Sequence, residues 1–594
     1  MRLHNKTDDH IDDLLASYAT LDNPKSFFLN AGAGAGKTRS LVNLLNNINK
    51  RSGDILKKTN KKIAVITYTK VASLEIISRT PENSMFDIST IHSYVWTLIK
   101  GHNQNIKVAL LHFCNLKIKE LTDKKRLTQK QNEKLDELYL QRKQIESKEV
   151  FNYSPEGTLS EKGSLSHSDV LKIFSFLMNS NNLFRKLVCN KYPIILVDEC
   201  QDTNKDIMDS FLKLNKENKI CLGLFGDVMQ RVYLDGKADL IKSLEGLEMP
   251  EKKVNWRSYG RIVDFTNNLR KNIDNLEQKV CTEDRVDKGL VRIYLVNNNL
   301  PRIKSEEDIL SDIKDHILSN KIDNEYVPYK LVLEHRLAAE RNNFLSLFDA
   351  FKSVKDTDRA LDGESKEHTF LKQVIIPIYY AWKEKDDFTM HRLLKLYSYR
   401  FNELEQKRNE SYAVLNKIGI DFQNLLDIFN SDITLGCLFE ELAKSNLFEL
   451  PTKLRDDFHE DTGWRVASNV KFAELVNFYH YLDGISGITT QQGSKGLEYT
   501  HVQVIIDDHS IKGNTFSYDK LFGVKDKSST DIRNETEGKD TVLNKTNRLF
   551  YVACSRAIKS LVLVIYTANQ QTVKEYFIKN KYARCEEIIT INNQ

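Results

Sequence analysis

An apolar run, Phe27-Phe28-Leu29, breaks into small alternating residues, Ala31-Gly32-Ala33-Gly34-Ala35-Gly36. Lys37, Thr38 and Arg39 follow, and then a helical run, Leu41-Val42-Asn43-Leu44-Leu45. Strand, small-residue loop and helix in this order can cradle phosphate. Backbone N–H groups turn inward around phosphate oxygens, and the helix N-terminus adds positive potential. In such a loop Lys37 reaches the β and γ phosphates of a nucleoside triphosphate and the Thr38 hydroxyl sits on magnesium. The strict pattern asks for glycine where Ala31 stands. A second candidate group, Asp198-Glu199-Cys200-Gln201-Asp202, closes the apolar run Ile194-Ile195-Leu196-Val197. A carboxylate ending a strand opposite a phosphate loop suits Mg2+. Asp198 is expected to hold the ion, directly or through water, and Glu199 to orient and deprotonate an attacking water. Apart from the loop, the same residues would read as a solvated acidic turn.

These groups need a frame that brings them together. Apolar runs at 63–69, 192–197 and 220–225 read as buried strands, separated by helical stretches. Such alternation means a parallel sheet covered on both faces, the α/β class, in which ligands gather at the carboxyl ends of strands. Lys37, Thr67, Asp198 and Asp227 each fall just after a strand. Residues 1–22 read as a leading helix and 88–94 as a short strand entering a turn. A second α/β region has expected strands at 289–296, 328–334, 501–506 and 561–565, and residues 507–545 read as a long polar surface loop. The expected organisation is two parallel-sheet cores: 1–99 with 166–250, and 251–345 with 479–594. Helical insertions at 100–165 and 346–478 are placed by position alone.

The balance of 87 basic and 82 acidic residues gives a net charge of +5, which argues against a wholesale basic coat but leaves room for a local basic groove. The eight cysteines are scattered singly, with no Cys-x-x-Cys pair, so neither a zinc site nor a disulfide framework is indicated. The N-terminus has no apolar signal core and no run approaches the roughly 18 residues of a membrane span. A cytoplasmic protein with no membrane association is expected.

The order of motifs resembles the UvrD/Rep family of superfamily 1 DNA helicases. The pieces are 31–38, Thr-Tyr-Thr-Lys-Val-Ala (67–72), Ser-Thr-Ile-His-Ser (89–93), Val-Asp-Glu-Cys-Gln-Asp-Thr (197–203) and Phe-Gly-Asp-Val-Met-Gln-Arg-Val-Tyr (225–233). They continue with Asn-Trp-Arg-Ser (255–258), Gly-Ser-Lys-Gly-Leu-Glu-Tyr (493–499) and Leu-Phe-Tyr-Val-Ala-Cys-Ser-Arg-Ala (549–557). The family's own loop begins with alanine, which accounts for Ala31. The resemblance implies RecA-like cores, ATP and Mg2+ as cofactors, and translocation 3′ to 5′ on single-stranded or partly duplex DNA. ATP closing a cleft between the cores, and hydrolysis reopening it, would give one step per cycle.

By the same resemblance Gln230 senses the γ-phosphate and the attacking water, while Arg257 and Arg556 reach from the second core to the charge developing there. Trp256 takes the place of an aromatic stacking on adenine, and Glu498 that of a group for the ribose hydroxyls. Tyr68, Thr90, His92, Ser93, Tyr233 and Lys495 stand at DNA-contacting positions, although each tyrosine also suits simple core packing. Four departures stand out. No glutamine stands near residues 9–13 to read adenine, Tyr233 is followed by Leu234-Asp235-Gly236-Lys237 where the family has Trp-Arg, Gln491 and Gln492 stand near a usual histidine, and the acidic residue before Arg548 is missing. The compact chain is similar to the helicase subunit of bacterial antiviral systems such as Gabija, which implies a separate nuclease/ATPase protein as partner. An autonomous repair helicase and a DNA-sensing ATPase with little unwinding are the alternatives.

Overall fold

The computed structural model describes residues 6–81, 84–124, 126–154, 164–217, 220–233, 235–237, 239–271, 273–353, 361–363, 365–401, 411–455, 463–510 and 515–592. The chain divides into two compact units. The first comprises residues 1–291, 514–561 and 571–588, and the second 292–513, 562–570 and 589–594.

Strands of the first unit are β1 (Phe27–Ala31), β2 (Ile63–Thr67), β3 (Phe86–Thr90), a short pair β4 (Asn152–Tyr153) and β5 (Ser164–Leu165), then β6 (Ile194–Val197), β7 (Cys221–Gly226) and β8 (Glu251–Lys252). A second short pair is β9 (Val254–Asn255) and β10 (Lys279–Val280). Six of them form a sheet in the order β3-β2-β6-β7-β1-β8, and every pairing in it is parallel. All residues of β1, β2, β6 and β7 are buried. That is why these segments are continuous apolar runs: both faces of the sheet are covered. Phe27, Phe28 and Leu29 are wholly buried, each contributing on the order of 1.5–3 kcal/mol. The register pairs Asn30 with Gly226 and Val197 with Leu224, so the loops after β1, β6 and β7 leave one edge of the sheet.

Two expectations change in this unit. The strand expected at 88–94 stops at Thr90, and Ile91–Ile99 is a helix. Ile91, Tyr94, Val95, Leu98 and Ile99 recur at the helical spacing and all are buried, so the period of the apolar residues, not their β propensity, decides the element. Residues 507–545 are not one loop: helices Tyr518–Leu521 and Ser529–Thr536 lie in them, and Val542–Cys554 begins there; 511–514 fall outside the described residues. Ser528 and Asp531 cap each other reciprocally. The buried Asp531 also accepts from Lys520 Nζ (2.8 Å) and the Val542 N–H (3.0 Å), so the polar composition is consumed by capping.

The leading helix, Lys6–Tyr18, spans the region where an adenine-reading glutamine is missing, and two of its carboxylates, Asp8 and Asp12, are used elsewhere. Asp12 accepts from Ser40 Oγ and Asn43 Nδ2 (both 2.7 Å) and pairs with Lys252 (2.8 Å). Asp8 accepts the N–H groups of Lys253 (3.1 Å) and Val254 (2.8 Å). Insertion helices Asn103–Thr122 and Gln129–Ser147 follow, the latter burying only Leu138 and Ile145.

A second six-stranded sheet, most of it in the second unit, is built from β11 (Leu290–Asn297), β12 (Tyr329–Val332), β13 (Ile488–Thr490), β14 (Tyr499–Ile506), β15 (Ala557–Thr567) and β16 (Ile588–Ile591), in the order β13-β12-β14-β15-β11-β16. β12 pairs in parallel with both β13 and β14. Between β12 and β13 the described residues are mainly helical, with their own core around Phe351, Leu371, Leu438, Trp464 and Phe478. Among the described residues no helix is long and apolar enough to cross a membrane.

Candidate active site

The small-residue loop turns sharply at Gly34 (φ 71°) and Gly36 (φ 79°), the latter capping the helix Lys37–Lys58. A Cβ at Gly34 would lie 2.7 Å from Arg257 Cβ and 2.8 Å from Asn255 Oδ1, so glycine is required there for space as well as for backbone angle. Side chains from outside the loop hold its backbone. The Ala33 carbonyl accepts from Asn255 Nδ2 (3.2 Å) and Gln278 Nε2 (3.1 Å), and the Gly34 carbonyl accepts the Trp256 N–H (2.9 Å). The Ala33 N–H donates to the Tyr551 hydroxyl (3.2 Å). Lys37 is buried and donates to the Ala31 carbonyl at 3.1 Å. Thr38 and Arg39 follow it in the first turn of the helix.

Asp198 leaves the end of β6 buried, its carboxylate accepting the Glu199 N–H at 3.0 Å. Glu199 adopts a left-handed conformation (φ 49°, ψ 44°), which costs a non-glycine residue on the order of 1–3 kcal/mol. Gln201, 1% exposed, supports it by donating to Glu199 Oε2 while its own carbonyl accepts the Asp227 N–H (3.1 Å). A Cβ at Gly226 would lie 2.6 Å from Cys200 Sγ and 2.7 Å from Gln201 Oε1, so this approach of β7 to the acidic turn needs glycine. One carboxylate (Asp198) and one hydroxyl (Thr38) are hard oxygen donors, a set that suits Mg2+ sharing its remaining positions with water and phosphate.

Arginines complete the group within the first unit. Arg257 Nη1 donates to the Ser555 carbonyl at 3.0 Å. Arg556, 1% exposed, donates from Nε to the Val552 carbonyl (2.9 Å) and from Nη2 to Ser555 Oγ (2.9 Å) and Gln230 Oε1 (3.3 Å). Burial first, and the like charge of Arg257 second, push the Arg556 pKa down to about 9. Gln230 Nε2 in turn donates to Asp227 (2.8 Å). Trp256 is exposed at 42%, free to offer a ring face. The missing acid before Arg548 is replaced by Asp540, which accepts from Arg548 Nη1 (3.0 Å) and pairs with Arg231. Asn255 and Tyr551 lie inside motifs visible in the sequence, whereas Gln278 and Asp540 carried no signal of their own.

The DNA candidates fall into separate groups. Tyr68 and Tyr233 stack on each other, ring centroids 4.7 Å apart and planes at 26°. Thr90 Oγ1 donates to Ser93 Oγ (3.1 Å). His92 lies 4.1 Å from His167 between ring centroids, and burial first, then His167, pushes its pKa down to about 4, so it is neutral at neutral pH. In the second unit, Lys495 and Glu498 sit on the turn between β13 and β14, Glu498 exposed and Gly496 at φ 84°.

Residues 16–235 match the family described as "AAA domain". The chain is similar to Gabija protein GajB from Bacillus cereus (strain HuB5-5), 25% identical over 95% of this chain and 96% of that protein. It is also similar to ATP-dependent DNA helicase Rep from Buchnera aphidicola subsp. Schizaphis graminum (strain Sg), 24% identical over 66% of this chain and 64% of that protein. Fold and likeness agree on a class: the chain resembles UvrD/Rep-like superfamily 1 proteins and is an ATP hydrolase of the DNA-helicase class. Within that class its compact form is similar to GajB, and a second GajB, from Bacillus cereus (strain VD045), is 23% identical over 59% of this chain and 65% of that protein.

Proposed function

We propose that this chain is a cytoplasmic, ATP-driven motor that moves 3′ to 5′ on single-stranded DNA within a bacterial anti-phage system, beside a separate nuclease/ATPase protein. The observation that carries the hydrolytic part is the gathering of Lys37, Asp198, Glu199 and Gln230, which follow β1, β6 and β7 at one end of the sheet, in one unit with Arg257 and Arg556. Thr38 and Asp198 would hold Mg2+, which when bound offsets phosphate charge. Lys37 would bind the β and γ phosphates, Glu199 would take the proton of the attacking water, and Gln230 would align that water. Arg257 and Arg556 would stabilise charge on the γ-phosphoryl oxygens, Trp256 would stack on the base and Glu498 would meet the ribose. The defence role rests on the likeness to GajB over nearly the whole of both chains.

The test compares ATP turnover with strand displacement. Single-stranded DNA is expected to raise ATP turnover about tenfold or more, with displacement from 3′-tailed and not 5′-tailed duplexes. Turnover indifferent to DNA, or displacement from 5′ tails, would sink the motor reading. One observation favours weak unwinding by the isolated chain, a DNA-sensing ATPase acting on its partner. After Tyr233 the segment is committed internally, with Lys237 Nζ on Asp209 (2.5 Å) and the Asp235 carbonyl accepting the Lys205 N–H (2.9 Å). Stimulated turnover without displacement would support that reading, and co-purification from the native host would identify the partner.

A pH profile checks Arg556 directly. Its cation is the working form, present below its pKa of about 9 and lost above it. Hence kcat/KM for ATP, which reports the free enzyme, should fall as pH rises through about 9. A bound triphosphate restores the cation, so kcat should hold to higher pH. A kcat/KM flat to pH 10 would mean that Arg556 keeps its proton across this range and that burial does not lower its pKa to about 9.

A further inference from the structure

Arg270 lies outside every motif that carries the nucleotide chemistry, on the helix Gly260–Arg270, and it is completely buried. Its guanidinium grips both oxygens of Asp227 (Nη2–Oδ1 3.0 Å, Nη1–Oδ2 3.1 Å). Asp274, four residues on, holds the same guanidinium through Nε (3.1 Å), and the Tyr551 hydroxyl accepts from Nη1 (2.8 Å). Burial opposes this charge, but Asp227, Tyr551 and Asp274 together keep its pKa well above the ordinary value. Burying such a pair carries a desolvation penalty that an apolar pair of the same volume would avoid, so its use calls for a reason beyond stability.

The reason lies in what Asp227 does next. A carboxylate can only accept, so the amide of Gln230 has one orientation: Nε2 toward Asp227 (2.8 Å) and Oε1 toward Arg556 Nη2 (3.3 Å). An acceptor oxygen fixed in that sense is what aligning a water beside the γ-phosphate requires. Tyr551 ties the same cluster to the phosphate loop, donating to Asp227 Oδ2 (3.3 Å) while accepting the Ala33 N–H. We propose that Arg270 is the positioning residue for Gln230, locking its amide through Asp227 and coupling that lock to the phosphate loop through Tyr551. This rests on the ATP-hydrolysis reading above.

The test is a double-mutant cycle in full-length protein. Arg270→Lys keeps a charge but loses the fork, and it should lower kcat for ATP about 10- to 100-fold with KM held within about threefold. In a Gln230→Ala background the same change should cost less than about twofold, because the group it positions is gone. A merely structural arginine would not show that dependence: equal losses in both backgrounds, or a rise in KM with kcat unchanged, overturn the proposal. Should Arg270→Lys not fold, Tyr551→Phe removes a single oxygen and carries the same test, with an expected loss of about three- to tenfold that again vanishes beside Gln230→Ala. Lys37→Ala run alongside separates the two readings. If it is inactive and the cycle is additive, the relay alone fails; if it still turns over ATP, the hydrolytic reading fails first.

Discussion

Lys37→Ala protein is expected to lose ATP hydrolysis by about 10³-fold or more while still folding and still binding single-stranded DNA within about threefold of the unaltered protein. The size of the loss follows from what the ammonium does. Phosphoryl transfer leaves little covalent work for the protein, and the rate comes from positioning and from charge placed against the γ-phosphoryl oxygens. Lys37 is the cation rooted in the phosphate loop itself, buried beside the Ala31 carbonyl, so no mobile surface lysine replaces it. Folding is safe because alanine is the best helix former at this first-turn position, and the loop's backbone is held by Asn255, Gln278 and Tyr551 rather than by Lys37. DNA binding is expected to be spared because the proposed contacts Tyr68, Thr90 and Ser93 lie at or just after the ends of β2 and β3 and not in the loop. ATPase assay, thermal melt and DNA titration on one preparation decide the matter. Turnover within tenfold of the unaltered protein would remove the loop from the chemistry.

Much of this arrangement was legible in the chain because its strands are buried on both faces. Phe27–Ala31, Ile63–Thr67, Ile194–Val197 and Cys221–Gly226 admit hardly a polar residue, and the polar ones cluster where each strand ends. That change of composition at Ala31, Val197 and Gly226 marks both element and site. What sequence did not disclose depends on partners distant along the chain. Arg270 meets Asp227 across 43 residues and Tyr551 across 281, and nothing local distinguishes it from a surface arginine at the end of a helix. Gln278 fills the space beside Gly32, where a Cβ would lie 2.6 Å from its amide carbon, yet its neighbours suggest only a polar turn. The misread stretch 507–545 failed for a different reason. Ser, Thr, Asp and Asn favour loops and also cap helices, and only the reciprocal bonds of Ser528 with Asp531 reveal which role they take.

Arg556→Met should abolish hydrolysis without unfolding the protein and hold or raise its thermal midpoint. The two halves of this expectation share one cause. On folding, the pKa of Arg556 falls well below the ordinary arginine value to about 9, burial being the larger reason and the neighbouring Arg257 the next. A cation whose pKa falls on folding costs stability at every pH below the folded value, and the cost fades only as pH rises through about 9 toward the ordinary arginine range. At pH 7 it is therefore fully present. Methionine matches the stem of arginine and removes the charge, lifting the desolvation cost of burying it. Against this stands the loss of donors to Val552, Ser555 and Gln230, three hydrogen bonds worth about 1 kcal/mol each. The balance is close, so the midpoint should stay level or rise by a few degrees at pH 7, with any gain shrinking above pH 9. Turnover, in contrast, should fall about 10³-fold or more, as when an arginine is withdrawn from other nucleotide hydrolases. The stabilisation that ATP and Mg2+ give the unaltered protein should shrink as well, since the triphosphate is the charge that repairs the buried cation. A variant that melts many degrees lower while its residual folded fraction turns over ATP normally would make Arg556 a structural residue.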